Sequence, residues 1–304
     1  MVLSKLPTMT TEVTPPMHCK EFSKTGIPLP ELALGTWRYS GGIEPLLAGI
    51  ELGSTFIDTA ESYGSEEVVG SAIRGIRSQI FLASKVSPRN FRRQDVIRAA
   101  EGSLKRLKTD YIDLYQLHWP NYTVPIAETM AAMEDLVAMG KIRFIGVSNF
   151  SAREIEKAQA SLTRARIVSN QVRYCLVERT IEGELMQYCE SKGITILAFS
   201  PLASGLENIR QFDRDDILGA VATRAGKTPA QVALNWCTSR SSVIAIFKAD
   251  KLEHVKENCG GSGWRLEPSQ ITALNRIPFR RRRRVEKLAR RVARYTLQKF
   301  SRNL

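Results

Sequence analysis

Long apolar runs are absent from this 304-residue chain. None approaches the roughly 18 residues that a helix needs to cross a bilayer, which excludes a transmembrane protein. Residues 1–17 contain neither an arginine nor an apolar core of about 7–15 residues, so we predict neither a mitochondrial presequence nor a secretory signal. Hydrophobic residues at 43% and charged residues at 25% are ordinary globular values, which excludes wholesale disorder.

Cysteine is scarce, and no two cysteines form a C-x-x-C pair. None has a histidine at metal-ligand spacing either, which disfavours a disulfide framework, a zinc ribbon and any other metal site. The pattern is typical of a reducing compartment, and we predict a cytoplasmic protein without a bound metal. The five cysteines are Cys19, Cys175, Cys189, Cys237 and Cys259.

Acidic residues are nearly missing from the C-terminal end. Residues 280–304 hold eleven of the 44 lysines and arginines but only one of the 31 acids, so they carry +10 of the net charge of +13. The rest of the chain is close to neutral. The high isoelectric point therefore describes an appendage, and it does not indicate a basic nucleic-acid-binding domain.

What is present is one pattern that occurs eight times. A short apolar, β-branched run precedes a segment with helical spacing, and runs this apolar are typical of strands buried on both faces of a parallel sheet. Strict alternation of eight βα units predicts an α/β fold, a (β/α)8 or TIM barrel. The predicted strands are 32–36, 55–60, 80–86, 112–119, 142–149, 167–174, 195–202 and 243–249.

The segments between the strands predict helices, among them 94–109, 126–141, 151–160, 215–225 and 229–238. Ser151 followed by Glu154 has the spacing of a capping box. A doubly wound sheet is the alternative fold, but no strand leads into G-x-G-x-x-G.

A short hairpin is predicted before the first strand, with its turn at 24–26. The chain then divides into a loose N-terminal extension (1–19), a barrel domain (20–279) and an Arg-rich C-terminal helical tail (280–304).

Side chains suited to proton transfer lie where the predicted strands end. Asp58 ends the second strand and Tyr63 follows it, while Lys85 and His118 lie near the ends of the next two. The carboxyl ends of barrel strands meet at one rim, where active sites form. A lysine beside a tyrosine lowers the tyrosine pKa, and an aspartate holds that lysine charged. Each residue alone has an ordinary structural explanation, but four on one rim indicate an active site.

At these residues the chain resembles the aldo-keto reductases, over roughly residues 20–277. The segment 56–64 (FIDTAESYG) is similar to the Asp-and-Tyr segment of that family, and 84–85 (SK) to its Lys strand. The segment 117–120 (LHWP) is similar to its His strand, and 141–150 (KIRFIGVSNF) to its nicotinamide segment.

The resemblance implies NADPH-dependent reduction of a small-molecule aldehyde or ketone to an alcohol. Tyr63 would be the general acid, assisted by Lys85 and Asp58, and His118 would orient the carbonyl. Ser148, Asn149 and Gln171 would hold the nicotinamide carboxamide, and Phe199 would stack on the nicotinamide ring. Ser200, Leu202 and Ser204 would line the pyrophosphate path, and Trp37 and Trp119 would wall the substrate pocket.

The sequence departs from the family at the adenosine end. Family members typically have Lys-Ser followed five residues later by Arg, all facing the 2′-phosphate, whereas this chain has Lys248, Ala249 and His254. A phosphate clamp without arginine loses its bidentate geometry, so the sequence favours NADPH but leaves NADH open. Glu257 and Asn258 match positions that contact the adenine.

Two other functions stay open. A non-catalytic, cofactor-binding sensor or scaffold could use the same barrel, because a fold does not define a function. The second open function belongs to the tail, which would anchor the protein on a membrane or another anionic surface. Its predicted helix places Val285, Leu288, Val292 and Tyr295 on one side and cations on the others, and it stands where the family has a substrate-closing loop.

Overall fold

The computed structural model describes residues 16–280, in which eight parallel strands close into a barrel preceded by an antiparallel hairpin. Both the TIM barrel and the hairpin are therefore confirmed. The hairpin strands are β1 (Cys19–Glu21) and β2 (Pro28–Pro30). The barrel strands are β3 (Leu32–Gly35), β4 (Phe56–Asp58), β5 (Phe81–Val86), β6 (Ile112–Leu117), β7 (Ile142–Ser148), β8 (Ile167–Arg173), β9 (Thr195–Phe199) and β10 (Val243–Phe247), and β10 closes the barrel against β3.

Helices follow the strands and cover the outside of the barrel. In chain order they are α1 (Glu44–Glu51), α2 (Glu66–Ala72), α3 (Arg93–Leu107), α4 (Ile126–Ala138), α5 (Ala152–Gln159), α6 (Glu184–Lys192), α7 (Leu206–Arg210), α8 (Ile217–Ala225), α9 (Pro229–Thr238), α10 (Leu252–Cys259) and α11 (Pro268–Leu274). The capping box is present at α5, where Ser151 N–H donates to Glu154 Oε2 at 2.8 Å. Helix α4 ends at Ala138, two residues before Gly140, which at φ 69° turns the chain into the left-handed region.

The interior of the barrel is filled by alternate residues of each strand. Successive side chains of a strand point to opposite faces, so Phe56 and Phe81 point inward while their neighbours pack against the helices. Phe22, from the hairpin, packs edge-on against Phe81 with ring centroids 5.1 Å apart. The hairpin therefore plugs the amino-terminal end of the barrel, whereas residues 16–280 leave the opposite end open.

Both ends of the described segment are tied to the barrel. The His18 N–H donates to Ser262 Oγ at 3.0 Å, and Cys19 begins β1, so these residues are held although the sequence groups them with the N-terminal extension. Arg280 N–H donates to the carbonyl of Val177 at 3.0 Å. The predicted tail helix lies outside the described residues. Within residues 16–280, no helix has the length and apolar character needed to cross a membrane.

Candidate active site

A single groove of about 1580 Å³ occupies the open mouth of the barrel, at the carboxyl ends of the strands. Every site residue predicted from the sequence lines it except Lys85, which lies fully buried beneath it. The lining residues are Trp37 after β3, Asp58 and Tyr63 at and after β4, His118 and Trp119 after β6, Ser148 and Asn149 at the end of β7, Gln171 in β8, Phe199, Ser200, Leu202 and Ser204 at and after β9, and Lys248, His254, Glu257 and Asn258 after β10.

Lys85 and Asp58 form a buried ion pair at the floor of this groove. Both occupy inward positions on neighbouring strands, and Lys85 Nζ lies 2.6 Å from Asp58 Oδ2. The ammonium also donates to the carbonyl of Thr59 at 2.8 Å. Burial by itself would lower the pKa of Lys85, but the Asp58 carboxylate, and after it Tyr63, holds that pKa above its usual value. Lys85 is therefore charged at neutral pH.

Tyr63 lies directly above this pair, at the end of a single 3-10 turn, Glu61–Tyr63. Lys85 Nζ is 4.7 Å from the centroid of its ring. Burial raises the pKa of Tyr63, and Asp58 adds to it, so the pKa stays above its usual value although the Lys85 cation lowers it. Lys85 does lower the pKa of Tyr63, as the sequence predicts, but burial disfavours the phenolate more strongly than Lys85 favours it. At neutral pH Tyr63 is a phenol with a proton to give.

His118 faces the same phenol. Its Nε2 is 3.3 Å from Tyr63 Oη, within reach of a hydrogen bond whose direction depends on the imidazole tautomer. Burial, and after it the Lys85 cation, lowers the pKa of His118 to about 3, so the ring is neutral at physiological pH. Asn149, which has a left-handed backbone at φ 64°, donates from its amide to the His118 carbonyl at 3.2 Å. The loop after β7 therefore holds the histidine backbone in place.

Two amide side chains converge on the other oxygen of Asp58. Gln171 Nε2 donates to Asp58 Oδ1 at 2.7 Å, and Gln116 Nε2 is 3.3 Å from the same atom. The resemblance implies that Gln171 holds the nicotinamide carboxamide, and in the structure its Nε2 donates to Asp58. Gln116 was missed, although it stands two residues before His118 and so shares its inward face. Gly146 makes room for it, because a Cβ there would come within 2.9 Å of Gln116 Cγ.

The end of the groove that the resemblance assigns to adenosine holds less free positive charge than the sequence implies. Lys248 forms an ion pair with Asp250, two residues later. Asp250 is held in turn by the Ser40 N–H at 3.0 Å, so the pair joins the loop after β3 to the loop after β10. His254 lines the groove from α10. The spacing of Lys248 and Asp250 does not by itself indicate an ion pair, and the contact of Asp250 with Ser40 depends on how the two loops meet.

Arg173 is a further lining residue that the sequence reasoning missed. It ends β8 and lies two residues beyond Gln171, so the same alternation that places Gln171 inward would have found it. Among residues 16–280, no group of three or more His, Cys, Asp or Glu could hold a metal ion.

Comparison with known proteins gives consistent matches. The model of the Aldo/keto reductase family matches residues 31–278. The methylglyoxal reductase YeaE of Escherichia coli is 39% identical over 82% of this chain and 91% of that protein. A glyoxal reductase of Bacillus subtilis is 35% identical over 83% of this chain and 91% of that protein. An aldo/keto reductase structure from Klebsiella pneumoniae, in complex with NADP and acetate, superposes with a TM-score of 0.79 at 38% identity, covering 88% of this chain and 98% of that one.

Proposed function

The chain belongs to the aldo/keto reductase family of oxidoreductases, and on that premise we propose that it uses NADPH to reduce an aldehyde or a ketone to an alcohol. The observation that carries this proposal is the set of four side chains at the floor of the groove. A proton donor (Tyr63), a permanent cation (Lys85) and a neutral imidazole (His118) meet beside one buried carboxylate (Asp58). A non-catalytic sensor would not need all four.

The groove fits a dinucleotide in size and in chemistry. Its volume of about 1580 Å³ exceeds the roughly 300–1,000 Å³ of ordinary small-ligand pockets, which leaves room for both a cofactor and a substrate. We assign the nicotinamide carboxamide to Ser148, Asn149 and Gln171, and the nicotinamide ring to the face of Phe199. The pyrophosphate path runs past Ser200, Leu202 and Ser204, and the adenosine end lies near Lys248, His254, Glu257 and Asn258. When bound, NADPH supplies the hydride that reduces the carbonyl carbon.

Tyr63 donates the proton that this reduction requires. As negative charge develops on the carbonyl oxygen, Tyr63 Oη transfers its proton to it, and the Lys85 cation stabilises the phenolate left behind. Asp58 keeps Lys85 charged and oriented, and so acts through Lys85 rather than on the substrate. Neutral His118 donates a hydrogen bond from Nε2 to the same carbonyl oxygen, which fixes the substrate beside Tyr63.

Small dicarbonyl aldehydes are the first substrates to test, because two relatives are named for methylglyoxal and glyoxal. Trp37 and Trp119 line the groove, and the Trp37 side chain is half-exposed. These two aromatic side chains give the groove an apolar wall, which suits a small organic substrate.

The test follows the loss of NADPH absorbance with methylglyoxal, glyoxal and a generic aromatic aldehyde, with NADH run in parallel. We expect aldehyde-dependent oxidation that follows Michaelis–Menten kinetics. NADPH binding without turnover on any of these carbonyls would favour the alternative, a cofactor-binding sensor or scaffold.

A further inference from the structure

The guanidinium of Arg173 belongs to a side chain that lines the groove. Its Nη2 donates to Ser204 Oγ at 3.0 Å and lies 3.4 Å from the carbonyl of Ala203, and both of these acceptors are neutral. Among residues 16–280, Arg173 takes part in none of the ion pairs between basic and acidic side chains. An arginine presents five N–H donors in a planar fork, so most of this fork is free to bind an anion.

The loop after β9 forms the other wall beside this cation. Ser200, Ala203 and Ser204 have left-handed backbones, with φ of 51°, 57° and 65°, and Gly205 follows at 140°. These turns fold the loop back along the groove, so that the hydroxyl-bearing residues Ser200 and Ser204 line it. Such conformations cost free energy in residues other than glycine, and they persist where the surrounding structure requires them.

The position along the groove identifies the part of the ligand that Arg173 meets. Arg173 pairs in register with Phe199, the residue assigned to the nicotinamide ring. In a nicotinamide dinucleotide the pyrophosphate follows one ribose beyond that ring. The guanidinium therefore stands beside the nicotinamide position, on the side where the loop with Ser200 and Ser204 continues.

We propose that Arg173 binds the pyrophosphate of the dinucleotide, and that this chain draws its cofactor affinity more from the pyrophosphate than from the 2′-phosphate. This inference rests on the proposed function. The 2′-phosphate end is weak by comparison: Lys248 is already paired with Asp250, Ala249 has no hydroxyl, and His254 has no bidentate fork. Because NADPH and NADH share the pyrophosphate, Arg173 stabilises both complexes to the same extent.

The test is a fluorescence titration of Arg173→Met with NADPH and with NADH. A lost charge-assisted hydrogen bond should weaken binding of both cofactors by about tenfold or more, with the ratio of the two dissociation constants unchanged. Arg173→Lys, which keeps the charge and loses the fork, should weaken both by a smaller common factor. Arg210→Met is the matched control: it removes a cation from α7, close by but on an exposed side chain that does not line the groove, and should leave both constants unchanged.

Three results would overturn the inference. Unchanged constants in Arg173→Met would show that the guanidinium does not meet the cofactor. A loss confined to NADPH would place Arg173 at the 2′-phosphate instead. Unchanged constants together with a raised KM for succinic semialdehyde, but not for methylglyoxal, would place it at a substrate carboxylate. Thermal unfolding of each variant shows whether it is folded. If Arg173→Met is not folded, the titrations with NADPH and NADH are compared between Arg173→Lys and the wild type instead. A wild-type chain that binds neither cofactor would instead refute the proposed function itself.

Discussion

At the scale of single residues, the floor of the groove depends on one buried charge pair. Asp58 and Lys85 are both excluded from solvent, and each compensates the desolvation of the other. Removing one partner of such a pair leaves an uncompensated buried charge and typically costs about 3–5 kcal/mol of stability, whereas removing both can cost much less. The pair therefore has a role in folding besides its role in setting the chemistry of Tyr63.

The coupling between Asp58 and Lys85 can be measured with a double-mutant cycle. We expect Lys85→Met to lower the free energy of unfolding by about 3–5 kcal/mol, since it leaves the buried Asp58 carboxylate with only the amides of Gln171 and Gln116 as partners. Adding Asp58→Asn to Lys85→Met should restore part of that loss. Urea denaturation of the wild type, both single variants and the double variant gives the coupling energy. Strictly additive losses would contradict the idea that the two charges compensate each other.

Tyr63→Phe isolates the proton donor, because it removes one oxygen and keeps the ring over Lys85. The NADPH dissociation constant should stay unchanged while kcat falls by about 10²–10⁴-fold, the usual contribution of general acid catalysis. Tyr188→Phe, the same change on α6 and outside the groove, is the control and should be as active as wild type. Stopped-flow or steady-state rates that stay within threefold of wild type would exclude Tyr63 as the acid.

At the scale of elements, the sequence predicts the strands well because burial on both faces of a parallel sheet leaves a strong apolar signal. The same alternation extends to the rim, where steps of two residues lead from Gln171 to Arg173 and from His118 back to Gln116. The hydrogen bond between Ser40 and Asp250 could not be predicted, because it depends on the meeting of two loops that are distant in sequence. The net direction of the Tyr63 pKa shift could not be predicted either, because spacing along the chain does not report burial.

Glu134 shows how one helix side chain can hold a loop that follows another helix. From α4, its carboxylate accepts the backbone N–H groups of Thr163, Arg164 and Ala165 at 2.9, 2.7 and 2.9 Å, and the Thr163 hydroxyl at 3.0 Å. Burial alone would raise the pKa of Glu134, but these four hydrogen bonds lower it to about 2. The carboxylate therefore orders the turn that leads into β8, the strand that carries Gln171 and Arg173.

Glu134→Gln should destabilise the fold in a pH-dependent way. At neutral pH we expect a loss of about 2 kcal/mol, because the amide offers one acceptor oxygen where the carboxylate offers two and because it loses the charge. The unfolded chain takes up a proton near pH 4.5 and the folded chain only near pH 2, so the stability that Glu134 contributes falls as the pH falls through this window. The difference between wild type and variant in urea denaturation should therefore shrink from pH 7 to pH 3.

Asp135→Asn is the matched control for that experiment. Asp135 follows Glu134 on α4 but forms a partly exposed ion pair with Arg93, which should contribute less than about 1 kcal/mol. Equal effects of the two substitutions, or a Glu134→Gln loss that does not depend on pH, would show that the loop contacts of Glu134 do not stabilise the fold.

At the scale of the whole molecule, the chain divides by charge into a nearly neutral barrel and a basic end. The barrel domain closes before that end begins: β10 pairs with β3, and α11 completes the cover. Arg179, which is buried, binds the carbonyls of Leu274 and Asn275 at the end of α11, and its guanidinium lies 5.3 Å from the ring centroid of Phe279. Arg280 also hydrogen-bonds to Val177, so the described part of the chain is held by the barrel up to its end.

Removing residues 281–304 should therefore leave a folded barrel with unchanged thermal stability and an unchanged NADPH dissociation constant. The cut deletes ten lysines and arginines and one glutamate, and it spares all the groove-lining residues within 16–280. We expect the full chain to co-sediment with vesicles rich in anionic lipid at low salt, because each basic residue near such a surface contributes about 1 kcal/mol. The truncated chain should stay in solution. Raising the salt should release the full chain, since exposed charges are screened beyond about 8 Å at physiological ionic strength.

Loss of the circular dichroism signal on truncation would show that the tail packs on the barrel, where the family has its substrate-closing loop. Equal sedimentation of both forms would remove the membrane anchor and leave the tail as a solvated basic segment.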